Sequence, residues 1–255
     1  MDSRETRDFA REAKFLIDAS LRPKIVEWSR ANLEADGHGS GVFADEYNTA
    51  SLYFETDAFD VYRKTHSYGR SKFRIRRYGL SDIIFLERKF RTDRLLAKRR
   101  TTVPVGDLER LATSDLDPTW PGYWFHRRIL LRRLRPLIQM SYERVARVGT
   151  SSTGPVRMTI DTNLRVLPMP DRAFIPGAGL PLLEDKSIIE IKYRREIPAV
   201  FKRLAEEFGI EIQKVSKYRL GLTALDYPLP ARDGKHSMPA PPPEEASAPL
   251  PAKES

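Results

Sequence analysis

Five short segments of this chain combine strand-like alternation with strong positive charge: SKFRIRRYG at 71–79, FLERKF at 85–90, SYERVAR at 141–147, IIEIKY at 188–193 and KVSKY at 214–218. Successive side chains of a strand point to opposite faces, so alternation separates charge from apolar surface. In the first segment Lys72, Arg74 and Arg76 share one face, and Phe73 and Ile75 share the other. Glu87 and Lys89 oppose Leu86 and Phe90, and Glu190 and Lys192 oppose Ile189 and Ile191. Several faces carrying Arg and Lys with an occasional Glu suit a polyanion together with a metal.

The balance of 44 Lys+Arg against 35 Asp+Glu, net +9, calls for an anionic partner: nucleic acid, nucleotide, polyphosphate or a membrane surface. With 255 residues and 40% apolar content the chain can build a core as one large domain or two small ones. It has no cysteine, which excludes disulfides, thiolate catalysis and cysteine-ligated zinc, and fits a reducing compartment. The opening MDSRETRDFAREAK lacks the apolar centre of a secretory signal, and no stretch has the roughly 18 apolar residues of a membrane span, so a cytoplasmic protein is expected.

Residues 5–18 and 22–35 read as helices, with Phe9, Phe15 and Leu16, then Ile25, Val26 and Leu33, on apolar stripes. A loop follows at 35–41, then a strand at 49–56 and a short helix in DAFDVYRK that Asp57 could cap. The RIR and FLERKF segments form a hairpin around Tyr78–Asp82. Helices are expected at 106–113, 121–134 and 198–208, the last with Pro198 near its first turn, and strands near 137–148, 156–166 and 187–194. The run HRRILLRRLR in the second of these helices is either a solvated face or an auxiliary anion patch. From about residue 227 the sequence is rich in Pro, Ala, Ser and Glu and is expected to be a disordered tail. His38 and His236 fall in loop or tail, and His66 and His126 lack metal-ligand spacing.

Antiparallel strands with few helices pack as a sandwich or close as a barrel. A barrel of about eight strands fills its interior with side chains. If these are Arg, Lys and Glu, the interior must hold counterions or ligand, because unpaired buried charge is costly. The apolar faces then point outward and need covering helices, which the sequence supplies. The expectation is an α+β fold: an antiparallel eight-stranded β-barrel tunnel with flanking helices.

Seven blocks in order, YNTASLYFETDAFDVYRK (47–64), KFRIRRYG (72–79), FLERKF (85–90), SYERVA (141–146), RMTIDTNL (157–164), IIEIKY (188–193) and KVSKYRLGL (214–222), together make the chain resemble the VTC domain of polyphosphate polymerases. That domain is a branch of the CYTH-like triphosphate tunnel metalloenzymes. The resemblance covers most of residues 8–222 and, with the change of composition near residue 227, divides the chain into an expected tunnel domain over 1–226 and a disordered tail over 227–255. It further implies that Arg74, Arg76, Lys89 and Arg144 hold phosphate oxygens, with Lys14, Lys192, Lys214, Ser216 and Lys217 as further phosphate contacts and Tyr142 as a hydrogen-bond donor. Glu190 is the implied metal carboxylate, with Glu87 as second candidate, and Mn2+ or Mg2+ as the ion.

These residue types fit phosphoryl transfer, which needs positioning and charge neutralisation by fixed cations and a metal. Two departures stand out. Tunnel hydrolases often open with Glu-x-Glu-x-Lys, where this chain has Ala10, Glu12 and Lys14, which leans away from a two-metal triphosphatase. Some polymerases carry a histidine two residues after the LERK lysine, where this chain has Arg91. The membrane spans and inositol-phosphate-sensing domain of eukaryotic relatives are not found, so coupled translocation is not expected.

The leading expectation is therefore a metal-dependent enzyme that moves the ATP γ-phosphate onto inorganic polyphosphate. A triphosphatase of the same fold, or a non-catalytic module for polyphosphate or nucleic acid, are the alternatives. Acidic residues inside the basic faces argue against nucleic acid. A membrane partner and the oligomeric state are left open.

Overall fold

The computed structural model describes residues 2–5, 11–37, 39–65, 67–91, 96–169, 172–175 and 179–227. The expectations for His38, His66, His236, the tail and the side chain of Arg91 lie outside the described residues. The strands are β1 (Asp2–Glu5), β2 (Arg11–Asp18), β3 (Glu34–Ala35), β4 (Glu46–Glu55), β5 (Ser71–Tyr78), β6 (Ile83–Arg91), β7 (Leu96–Pro104), β8 (Arg135–Ser151), β9 (Gly154–Pro168), β10 (Leu180–Leu182) and β11 (Lys186–Tyr193). The helices are α1 (Arg22–Asn32), α2 (Asp60–Arg63), α3 (Tyr123–Leu131), α4 (Ala199–Glu207) and α5 (Lys217–Ala224), with 3-10 turns at Tyr68–Arg70 and Val105–Ala112.

Among the described residues all the strands belong to one antiparallel sheet of eleven, in the order β1-β7-β6-β5-β4-β8-β9-β11-β2, with β10 beside β9 and β3 beside β8. The count exceeds eight through short additions such as the two-residue β3 and three-residue β10. The sheet is not closed by hydrogen bonds, yet it curls into a tunnel. Its two edges, β1 and β2, are neighbours in the chain, and side chains from opposite halves meet across the interior.

The outer face is apolar and covered by helices. Phe54 of β4 and Phe73 of β5 meet Phe125 of α3 edge-on at 5.5 and 5.6 Å. On the other half, Phe15, Ile160, Ile189 and Ile191 form a second core with Ile25 of α1 and Phe201 and Leu204 of α4. Each of these apolar side chains is at most 2% exposed, so their burial supplies the hydrophobic stabilisation of the sheet.

A β-bulge then redirects the inner face. The β8–β9 register slips between Ser141 and Glu143, and Asn163 adopts a left-handed φ of 49°. Upstream of it Arg157, Thr159 and Asp161 share one face of β9, while downstream Leu164 and Val166 belong to the other core cluster. Val166 pairs with Met140 of β8, and α5 packs there. A Cβ on Gly221 would lie 2.8 Å from Met140 Cε and 2.9 Å from Val166, so glycine permits this close approach.

Three local expectations are corrected. Residues 11–18 form β2, not a helix, because Ala13, Phe15 and Ile17 are buried in strict alternation with more exposed neighbours. KVSKY is not a strand: Ser216 is the N-cap of α5, whose Tyr218 and Leu222 are buried one helical turn apart. Asp57 does not cap α2. Its carboxylate pairs with Arg135 at the surface, while buried Glu55 accepts the N–H groups of Val61 and Tyr62 at 2.9 and 2.8 Å.

A basic tunnel as candidate functional site

The cross-strand register stacks the inner face into rows. Lys72 of β5 lies opposite Lys89 of β6, which lies opposite Lys98 of β7. In the next row Arg74 faces Glu87, which faces Arg100. Glu87 is 2% exposed and receives Arg74 Nε at 2.5 Å, Arg100 at 2.6 Å and Lys98 at 3.3 Å. Burial alone raises a carboxyl, but Arg74, Arg76, Lys98 and Arg100 together hold Glu87 well below the usual range.

Arg76 donates to Ser51 Oγ at 3.1 Å and to the Tyr142 hydroxyl at 3.0 Å. The same hydroxyl takes a hydrogen bond from Arg144 at 3.3 Å, which ties the arginines of β5 and β8 together. Arg144 grips both oxygens of Asp161, at 2.6 and 2.8 Å, and Lys217 reaches Asp161 at 2.6 Å. Against the upward push of burial, these two cations bring the Asp161 carboxyl down to about 2.

The third wall is built by β2, β11 and β9. Lys14 faces Glu190, which faces Thr159, and Glu12 faces Lys192, which faces Arg157. Lys14 lies 3.2 Å from Glu190 and 3.5 Å from Glu12, and Lys192 lies 3.3 Å from Glu190. Burial disfavours charged Glu190, yet Lys192 and Lys14 keep it well below the usual carboxylate range. Burial also brings Lys192 down to about 8 despite Glu190.

Phenols complete the lining. Tyr47 receives Arg157 at 2.9 Å, and Tyr78 receives Arg100 at 3.1 Å. For Tyr78, burial is outweighed by Arg76 and Arg100, and its hydroxyl falls to about 7.

The structure thus gathers Lys14, Arg74, Arg76, Glu87, Lys89, Tyr142, Arg144, Glu190, Lys192 and Lys217 into this interior network. Ser216 sits at its edge as the α5 N-cap, without a side-chain capping bond. Lys214 is exposed and makes no ion pair among the described residues. The HRRILLRRLR run begins on α3, on the outer side of the sheet, and continues past the helix end to Arg135 of β8, and His126 of α3 contacts the Thr113 carbonyl at 2.9 Å.

Sequence reasoning passed over Glu12, Lys98, Arg100, Arg157 and Asp161. The signal for them was the same alternation: Lys98 and Arg100 share a face in AKRRTT, and Arg157 and Asp161 share one in RMTIDT. Among the described residues no three His, Cys, Asp or Glu side chains converge as a metal cage. Lining cations outnumber lining carboxylates, and each lining carboxylate already touches at least two cations. Such a surface has charge to spare for an oxygen-rich anion.

In fold, the chain is similar to a candidate adenylate cyclase from Bacillus halodurans, with a TM-score of 0.50 and 15% identity over 80% of this chain and 92% of that one. Similar solved structures also include a candidate adenylyl cyclase from Hippeastrum described as having a dominant triphosphatase activity, with a TM-score of 0.46 and 14% identity over 86% of this chain and 98% of that one. A Pyrococcus horikoshii protein gives 0.46 and 16% over 84% and 99%. No curated protein matches in sequence. The VTC domain family matches residues 9–226, most of the chain, so this protein belongs to the VTC domain family.

Proposed function

We propose that the tunnel is the active site of a polyphosphate polymerase, which transfers the γ-phosphoryl group of ATP to the end of an inorganic polyphosphate chain. The observation that carries this reading is the convergence of Arg74, Arg76, Lys89, Arg144, Lys14, Lys192 and Lys217 on one interior whose carboxylates are all engaged by cations. In the transfer, a terminal phosphate oxygen forms a bond to the γ-phosphorus as the β–γ bridging oxygen leaves with the electron pair, releasing ADP. Substrate supplies both nucleophile and leaving group, so the protein contributes position and charge. Arg74, Arg76 and Arg144 would bind phosphate oxygens through guanidinium forks already aligned by Glu87, Tyr142 and Asp161. Lys89 would add a compact charge on the same phosphate oxygens, and Lys217 and the more exposed Lys214 would guide the chain.

The oxygen donors fit a hard dication such as Mg2+ or Mn2+, which completes its shell with phosphate and water. Glu190 would hold it with Glu12, both of which border Lys14, and the buried Thr159 hydroxyl opposite Glu190 has no hydrogen-bond partner among the described residues. Glu87, enclosed by Arg74, Lys98 and Arg100, fits less well. The ion would neutralise phosphate charge there.

The proposed substrates are ATP and polyphosphate. Among the described residues no helix is long and apolar enough to cross a membrane. The test is incubation of the purified chain with ATP and Mn2+ or Mg2+, with products resolved for a polyphosphate ladder and free orthophosphate. A ladder is expected. Orthophosphate without a ladder would establish the triphosphatase instead, and neither product would leave a binding module.

A further inference from the structure

Lys72 holds its position with a ring contact but without a carboxylate partner among the described residues. It stands directly opposite Lys89, which stands directly opposite Lys98, so three adjacent strands carry lysines at one level. Like charges facing each other across strands destabilise a sheet. Lys89 is compensated by Glu12 at 3.0 Å and Lys98 by Glu87 at 3.3 Å. Lys72 makes no ion pair among the described residues. Its ammonium lies 5.8 Å from the centroid of the Tyr218 ring, which packs at 5.4 Å against Tyr53. Burial disfavours its charge, and the favourable field of the Tyr53 phenol is outweighed once those of Lys14, Lys89 and Arg219 are added. A half-buried cation surrounded by cations costs stability unless an anion joins it.

We infer that Lys72 completes, with Lys14 and Lys89, a further phosphate subsite one row beyond Arg74, occupied by a phosphate group of an inorganic polyphosphate chain that also spans the Arg74 and Arg76 rows. The inference rests on the phosphate-tunnel reading above and extends it to a residue that reading did not use. Alternate residues of a strand are about 6.6 Å apart, so the Lys72 row is a separate level of the tunnel. A short anion held by the arginines does not extend to it, whereas a longer chain does. Glu12, which touches both Lys14 and Lys89, would give them up to the incoming phosphate.

The experiment measures binding of pyrophosphate and of long-chain inorganic polyphosphate to the full chain, without nucleotide, in wild type, Lys72→Met and Lys72→Arg, beside melting of each ligand-free protein. Lys72→Met is expected to bind the long chain about tenfold more weakly while pyrophosphate stays within about twofold, since one charge-assisted contact is lost. Its ligand-free melting temperature should equal or exceed that of wild type, and Lys72→Arg should restore long-chain binding. Unchanged long-chain affinity in Lys72→Met would overturn the subsite, as would equal loss of both ligands with a lowered melting temperature. A wild type that bound neither ligand would overturn the phosphate-tunnel reading itself.

Discussion

Lys89 Nζ of β6 meets Glu12 Oε2 of β2 at 3.0 Å, joining strands that lie near opposite ends of the sheet order. The contact is possible only because the sheet curls, so it marks the tunnel interior and places Lys89 where a polyanion would displace Glu12. The Lys89 side chain is 44% exposed and that of Glu12 24%, and ion pairs this accessible contribute about 0–1 kcal/mol to stability. Lys89→Ala should therefore leave the melting temperature nearly unchanged while lowering ATP turnover by about 100-fold or more, as expected for loss of a preorganised transition-state charge. Product ladders and a thermal melt of the same preparation check both halves. Normal turnover in the folded variant would remove Lys89 from the site.

Acid should unfold the protein from inside the tunnel. The Asp161 carboxyl titrates at about 2 when folded against 3.8 as the ordinary value, and Glu87 and Glu190 are also depressed by their cations. A depressed carboxyl binds its proton more weakly in the folded state. The stability it supplies is fully present above its ordinary pKa and is lost as pH falls through the folded one. Stability should thus drop between about pH 4 and 2, and Asp161→Asn should flatten that part of the profile while lowering stability at pH 7 by about 3–5 kcal/mol, because Arg144 and Lys217 are left buried and unpaired. Denaturant melts across this pH range measure it.

Tyr218 anchors α5 through its hydroxyl, which donates to Glu55 Oε2. Glu55 also accepts the backbone N–H groups of Thr56 and Val61, both at 2.9 Å, and of Tyr62 at 2.8 Å. One carboxylate thereby joins the end of β4, the start of α2 and the helix that covers the apolar part of the inner face. Tyr218→Phe keeps the ring and removes one donor from a buried acceptor, at a cost of about 1–3 kcal/mol. The expected result is a clear fall in melting temperature, and Glu55→Gln should lower it at least as far, because an amide oxygen in place of Oε1 still accepts the Thr56 and Val61 N–H groups but the amide NH2 then faces the Tyr62 N–H that Oε2 accepted.

Particular residues show what was legible in the sequence. Lys72, Arg74 and Arg76 could be assigned to one face because residues 72–76 of β5 alternate charged and apolar side chains, and residues 189–193 of β11 do the same for Glu190 and Lys192. Phe15 and Leu16, read in the sequence with Phe9, suggested a helical stripe, and the eight residues of β2 are too few to separate the two periods. In KVSKYRLGL the alternating start hid the spacing of Tyr218 and Leu222 that makes α5. The bulge beside Asn163, which moves the inner face of β9 from odd to even residues, leaves no mark in the local pattern. Contacts between distant strands, such as Lys89 with Glu12, depend on curvature that no local pattern carries.

Glu190 offers a test that separates metal use from phosphate binding. It lies between Lys14 at 3.2 Å and Lys192 at 3.3 Å, with a side chain 14% exposed, and both lysines are available to phosphate once it is occupied elsewhere. Glu190→Gln keeps the shape but removes a negative charge from a tunnel that is otherwise positive. Phosphate affinity without added metal should then hold or rise, because repulsion between carboxylate and phosphate is gone. The Mn2+ or Mg2+ concentration needed for half-maximal turnover should rise about tenfold or more, since a hard dication loses its anionic oxygen ligand. Titrating turnover with metal and measuring metal-free polyphosphate binding on the same variant distinguishes the two effects. A metal requirement equal to that of wild type would assign Glu190 to holding Lys14 and Lys192 in place, with no part in binding the ion.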